Sequence, residues 1–372
     1  MAVSDPKPLI TTVIPTYRRP TLLRRAISSV LAETYPNFCV CVYDNASGDE
    51  TESVVREFIK YDSRVRYTQR SENIGAFRNF DDAMRRVSTP FFSILSDDDV
   101  VLPRFFESAL AGFTGNPQAG FSATTTLEID PQGRVRDAHL LHWSPGVYPP
   151  PEGALAMLEH GQPALPGVLF RRDVLDEVGY LDEWVGNPSD WDLELRIAAR
   201  FPIVVSREPG AVFSIHSQST SSSEKVDDIF PAWGRLLQKL SKNEDIPPGP
   251  RSRAAQLLHD RIRERLYRGA LRDIARGEWS EVEKALAVLN DHFDLGRRVG
   301  ALHAISQSCR RLPPLRLGLL ALFNLRGSLK ESRERKRQAE FACYAKFLYH
   351  DAKVPDAPGQ INAFGKALPT RE

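Results

Sequence analysis

The chain has 372 residues, 42% of them hydrophobic, and 49 Lys and Arg balance 48 Asp and Glu to a formal net charge of +1. This composition supplies a sizeable core and excludes wholesale disorder, and the balanced charge gives no general pull toward nucleic acid. No stretch reaches the roughly 18 consecutive apolar residues of a membrane span, and the opening MAVSDPKP lacks the apolar centre of a signal peptide. A cytoplasmic protein is expected, long enough for two domains or for one domain with an appendage. Cys39 and Cys41 alternate on one expected strand, Cys309 and Cys343 lie far off in helical sequence, and no second matched pair completes a zinc site. Free, buried thiols follow.

Leu9–Ile14 reads as a first strand, broken by Pro15-Thr16-Tyr17-Arg18-Arg19-Pro20. Thr21 opens a helix to about Thr34, its apolar residues from Leu22 to Leu31 at helical spacing. A second strand, Phe38–Tyr43, ends at Asp44, and Ser47 with Glu50 makes a capping-box pattern for a helix to Lys60. Val65–Thr68 is a third strand, Asn73-Ile74-Gly75 a turn, and a helix follows to Val87. Phe91–Leu95 is a buried strand that breaks into Ser96-Asp97-Asp98-Asp99, with a helix from Pro103. Strands alternating with helices predict an α/β fold with a mostly parallel sheet. Tyr17, Asp44, Asn73 and Asp97–Asp99 all follow strands, so they gather along one edge, where open α/β sheets bind ligands.

Three adjacent carboxylates repel one another, and a divalent cation relieves that repulsion. Mg²⁺ and Mn²⁺ take oxygen ligands and share them with phosphates. The acidic run therefore predicts a metal–diphosphate site; a solvated turn capping the next helix is the alternative. No GxxxxGK[ST] loop occurs, and no GxGxxG follows the first strand, which disfavours the P-loop and dinucleotide folds.

Four segments, VIPTYRRPTLLRRAISSVL, VYDNASGDE, ENIGAFRNFDDA and ILSDDDVVLP, stand in the order and spacing of family-2 glycosyltransferases, and this part of the chain resembles that family. The resemblance covers about the first 220 residues. It implies the GT-A fold, a Rossmann-like sheet flanked by helices, together with a nucleotide-diphosphate sugar donor, Mn²⁺ or Mg²⁺, and inversion at the anomeric carbon. Pro15, Thr16 and Tyr17 match the segment lining the nucleotide, with Arg19 beside them, and Asp44 matches the carboxylate that contacts the base. Asn73, Gly75 and Asn79 match the turn and polar wall of that pocket. Asp97 and Asp98 fall to the donor, and Asp99 is the metal ligand by register. Ser96 stands where many members carry the first acid.

Further on, Gly120–Ile129 reads as a strand, Asp130–Gly133 as a turn, Val147–Pro151 as a loop, and Asp173–Val178 as a helix closed by Gly179. Asn187–Leu193 leads into a helix to Arg200, with Ser189 as its cap. The segment around Asp190 resembles the family's acceptor region, in which an acid opens a helix beside the donor. Asp190 is thus the candidate general base, able to take the proton an acceptor hydroxyl loses as it attacks. Complementarity with the helix dipole is the alternative role. His216, after a short strand, resembles a family histidine near the diphosphate and is a candidate metal ligand or phosphate contact. His139 and His142 read as structural or acceptor-loop residues.

From Val226 helical patterns dominate to about His350, so the expected organisation is a GT-A domain over 1–224, a helical C-terminal domain over 225–350 and a loose tail over 351–372. Arg251–Arg276 holds eight arginines against Asp260, Glu264 and Asp273. Such a run is a solvated helix face, a contact with an anionic membrane, or part of a homo-oligomer interface. The acceptor expected from the resemblance is a glycan or lipid-linked glycan. Two competing readings are a sugar-1-phosphate nucleotidyltransferase and a non-catalytic glycan-binding protein on the same fold.

Overall fold

The computed structural model describes residues 8–215, 226–293 and 297–344. The elements run β1 (Ile10–Thr16), α1 (Pro20–Leu31), β2 (Phe38–Asp44), α2 (Thr51–Tyr61), β3 (Val65–Gln69), α3 (Ala76–Arg85), β4 (Phe91–Ile94), β5 (Val100–Val101), α4 (Phe105–Thr114), β6 (Phe121–Ile129), β7 (Val135–Ala138), β8 (Gly146–Tyr148), α5 (Glu152–His160), β9 (Val168–Arg171), α6 (Val174–Val178), α7 (Ser189–Arg200) and β10 (Ile203–Ser214). Helices follow: α8 (Val226–Ser241), α9 (Pro248–Arg276), α10 (Trp279–His292), α11 (Arg297–Arg311) and α12 (Pro313–Glu340). The strands form one sheet in the order β3-β2-β1-β4-β9-β6-β10-β5, with β7 on β6 and β8 on β10.

Pairing is parallel across β3, β2, β1 and β4, as the strand–helix alternation predicts. Beyond β4 the sheet is mixed. β9 runs antiparallel between β4 and β6, and β10 returns parallel to β6. Alternation along β1 feeds two cores: Ile10 and Ile14 pack with α1, α2 and α4, whereas Val13 packs on the opposite face with α3, α5 and α7. The second core continues without a break into Trp233 of α8, Leu258 and Ile262 of α9 and Leu289 of α10. The C-terminal helices are therefore buried against the layer that carries α7.

Several local expectations are corrected. The loop expected at Val147–Pro151 is confined to Pro149–Pro151, because Val147 and Tyr148 belong to strand β8, where Val147 pairs with Val204 of β10. Val168–Arg171, where no strand was expected, is the central strand β9. Helix α1 stops at Leu31 rather than near Thr34. The Ser47–Glu50 capping box does not form, because Ser47 donates to Asp44 and Asp49 Oδ1 takes the Thr51 N–H instead at 2.9 Å. Ser189 does not cap α7; Pro188 occupies the cap and Ser189 is buried in the first turn. All four cysteines are free, but Cys41 is only partly buried and Cys343 is exposed. His139 Nε2 lies 2.9 Å from Glu128 Oε1, a structural pairing between neighbouring segments.

Candidate active site

Parallel pairing brings the carboxyl ends of β1, β2 and β4 side by side, with Thr16 opposite Asp44 and Val13 opposite Ile94. The loop after β4 then folds back over β1. Thr16 Oγ1 donates to Asp97 Oδ2 at 2.7 Å. Arg19 Nη1 bridges Asp97 Oδ1 at 3.1 Å and Asp98 Oδ2 at 2.9 Å. Arg25, from the next turn of α1, donates to the Asp98 carbonyl and to Ser214 Oγ at the end of β10. Ser214 in turn gives its backbone N–H to Asp99 Oδ1 at 2.8 Å. Three acids thus meet two guanidinium groups.

The compensation is uneven. Both Asp97 oxygens are hydrogen-bonded, yet burial still raises its pKa above the usual carboxylate range. Asp99 is 1% exposed, and its Oδ2 has no partner among the described residues. Burial, reinforced by the neighbouring Asp98 charge, pushes the Asp99 carboxyl well above its ordinary value. An orphaned, buried carboxylate oxygen of this kind wants a proton or a cation.

The second group forms a polar wall beside β2. Asp44 is fully buried; Oδ1 accepts from the Ser47 backbone N–H at 3.0 Å and from Ser47 Oγ at 2.5 Å, and Oδ2 accepts from the Tyr67 hydroxyl at 2.7 Å. Gln69 Nε2 adds a longer contact to Oδ2 at 3.3 Å. Asn73 Oδ1 accepts from Asn45 Nδ2 and from the Gly75 N–H, both at 2.8 Å. Gly75 itself has φ +85°, a conformation that favours glycine. Asn79 is buried, donating to the Tyr43 carbonyl and accepting from Arg70 Nε. Arg18 and Ala46 adopt left-handed φ of 55° and 61° directly after β1 and β2. Such backbone costs about 1–3 kcal/mol per residue and gathers at functional sites. The Arg18 N–H bond to Ser47 Oγ, 2.9 Å, ties the two loops together. Tyr17 remains 37% exposed at the mouth, with the Arg18 guanidinium 5.1 Å from its ring centre. Pro15, within β1, is buried and paired in register with Tyr43.

Asp190 lies in the first turn of α7, and among the described residues no hydrogen bond or ion pair joins it to the aspartate run. Its Oδ2 accepts from Gln162 Nε2 at 2.9 Å and its Oδ1 from the Trp191 N–H at 2.8 Å. The residue keeps partial solvent access, although its carboxyl sits among protein atoms, and burial raises its pKa. One helical turn on, Glu194 is completely buried, and neither oxygen has a hydrogen-bond partner among the described residues. Burial and the nearby Asp190 charge push it well above its ordinary pKa, so it is held neutral. Burial thus pushes both carboxyls, one turn apart, in the same direction, and Glu194 lacks the hydrogen bonds that partly offset the shift at Asp190.

His216 lies outside the described residues. Arg25, Ser214, Gln162 and Glu194 carry no local signal in sequence; each enters the site only through contacts with distant segments. Among the described residues no group of three or more His, Cys, Asp or Glu is arranged to enclose a metal ion.

Residues 11–179 match the glycosyl transferase family 2 model, and this segment belongs to that family. The chain is a glycosyltransferase with the GT-A fold and additional C-terminal helices. An uncharacterized glycosyltransferase of Rickettsia prowazekii is 26% identical over 253 residues, spanning 64% of this chain and 74% of that protein. The GalNAc(5)-diNAcBac-PP-undecaprenol beta-1,3-glucosyltransferase of Campylobacter jejuni is 31% identical over 96 residues, 26% of this chain and 31% of that protein. Among solved structures, S. aureus TarS 1-349 in complex with UDP-GlcNAc superposes with a TM-score of 0.59 at 15% identity, covering 85% of this chain and 91% of that one. At that identity the likeness speaks for the fold.

Proposed function

We propose that the protein is a metal-dependent inverting glycosyltransferase that moves a sugar from a nucleotide-diphosphate donor to a hydroxyl of a glycan or lipid-linked glycan. The observation that carries this reading is the lone buried oxygen of Asp99 at the carboxyl ends of β1 and β4. An oxygen-only donor with unmet negative charge suits Mg²⁺ or Mn²⁺, which bind through one or two carboxylates and complete their shell from substrate phosphates. Asp99 would hold the ion, with His216 as a second candidate ligand from sequence. When bound, such a cation supplies positive charge to the diphosphate as it departs. Tyr17, Asn73, Gly75, Asn79 and the Asp44 wall would seat the nucleotide. Arg19, released from Asp97 or Asp98, would face the phosphates.

On the acceptor side, Asp190 would take the hydroxyl proton as that oxygen bonds to the anomeric carbon and the carbon–oxygen bond to the diphosphate breaks, leaving on the opposite face. Gln162 and the Trp191 N–H orient the carboxylate for this role. Neutral Glu194 beneath adds no competing charge. The C. jejuni relative is named for a glucosyl transfer to an undecaprenol-linked glycan, which supports a lipid-linked acceptor and a site of action at the cytoplasmic face of a membrane.

The test is a nucleotide-sugar panel read by thermal stabilisation with and without Mn²⁺. A donor that stabilises only with the ion, and loses that effect in Asp99→Ala, supports the reading. Donor binding equal with and without Mn²⁺, or retained in Asp99→Ala, overturns the metal role.

A further inference from the structure

Ten large hydrophobic residues stand exposed among the described residues, and five of them, Ile305, Leu312, Leu315, Leu317 and Leu322, fall within the α11–α12 hairpin. That concentration is a patch, not scatter, and patches of this kind mark contact surfaces. Leu315 and Leu317 are exposed on opposite sides of the first turn of α12, and Arg316 between them donates to the Arg276 carbonyl. Exposed leucines on two sides of one turn are surface that a partner would cover.

Charge narrows what covers it. From Arg297 to Lys330 the chain carries seven Arg and Lys and no Asp or Glu. Arg298, Arg310 and Arg311 are exposed. Glu283 engages Arg310 at 2.7 Å and Glu264 lies 3.9 Å from Arg298, whereas Arg311, beside Leu312, has no acidic partner among the described residues. A second copy docked here by two-fold symmetry would bring the same cationic stretch against itself. An anionic bilayer instead offers apolar chains to the leucines and phosphates to the arginines. No helix among the described residues is long and apolar enough to cross a membrane, so the contact is peripheral.

The far end of α12 is fastened to the catalytic layer. Gln338 Oε1 accepts the Val135 N–H of β7 at 2.6 Å, Glu334 Oε2 pairs with Arg136 at 2.8 Å, and Phe341 is buried against Leu127 and Val135. A helix of 28 residues spans about 42 Å. It therefore acts as a rigid arm between the sheet and the patch.

We propose that the α11–α12 turn and the first turns of α12 dock this enzyme onto anionic lipid headgroups. The inference stands on the patch itself, and its test uses no substrate, so it can fail while the transfer reaction holds. The full chain is floated with vesicles of phosphatidylglycerol and phosphatidylcholine in equal parts, and with phosphatidylcholine alone. Binding is expected only to the mixed vesicles, and it falls sharply at about 0.5 M salt, where screening shortens to about 4 Å. Leu315→Glu with Leu322→Glu lowers partition by about tenfold or more per leucine, and Arg311→Glu by about fivefold or more, with unfolding temperatures matching wild type. Wild type that stays unbound at low salt overturns the proposal. So does wild type that is a dimer in sedimentation and becomes a vesicle-indifferent monomer in the leucine variant, which gives the face to a second copy.

Discussion

Lys239→Met tests whether the C-terminal helices hold the catalytic layer in place. Lys239 Nζ, on α8, donates to Asp192 Oδ2 at 2.8 Å and to Asp182 Oδ2 at 2.6 Å. Asp192 is 2% exposed and belongs to the same helix turn as Asp190. In the variant Asp192 keeps Arg196 Nε at 2.8 Å. The penalty therefore falls short of the roughly 3–5 kcal/mol of a stranded buried charge. Losing one charge-assisted bond to a buried carboxylate costs about 1.5–3 kcal/mol. The bond to Asp182, whose side chain is about one-third exposed, adds about 0.2–1 kcal/mol. A loss of about 2–4 kcal/mol is expected, a large share of the roughly 5–15 kcal/mol that stabilises a typical domain. Urea unfolding measures it, and Asp182→Asn with Lys239 in place, which keeps the Asp192 bond, separates the two. Turnover should fall further than the folded fraction does, since a base displaced by about 1 Å costs about 10²-fold. A stability change below about 0.5 kcal/mol, or a turnover that tracks only the folded fraction, would refute the reasoning.

Asp190→Asn should lower transfer by about 10²–10⁴-fold while donor-dependent thermal stabilisation persists; wild-type turnover in this variant removes the base assignment. In the wild-type enzyme the rate should climb with pH through the raised Asp190 pKa, so the acid limb lies above the ordinary carboxylate range, and an inflection at an unshifted value would contradict the buried carboxyl. Glu194→Gln probes the neutral partner. A buried carboxyl with a raised pKa contributes its full stability below its unfolded value near 4.5 and loses it as pH climbs toward the folded value. Gln does not titrate, so the variant should gain on wild type progressively above pH 4.5; parallel stability curves across that range would mean Glu194 is solvated.

The strands β1 to β4 and their helices were legible because parallel strands covered on both faces read as continuous apolar runs between polar breaks. The second half was harder. β9 is four residues long and β5 two, lengths at which an apolar run carries no period. Ser47 and Glu50 satisfied a local capping rule, but Asp44 three residues upstream competes for the same hydroxyl. Register with the family brought the candidate residues onto the page, since each motif alone is short.

The sequence by itself determined the strand–helix order of the N-terminal half, the acids at the end of its fourth strand and the resemblance to family-2 glycosyltransferases, because hydrophobic period and motif order are properties of one stretch of chain at a time. The tertiary structure decided which groups those acids meet: Arg19 comes from the start of α1, Arg25 from within it and Ser214 from β10, leaving one Asp99 oxygen unmet among the described residues. It also decided that Glu194 is buried neutral while leucines of equal apolarity on α12 stand in solvent. Burial and pairing depend on which distant segments pack together, and no local pattern encodes that.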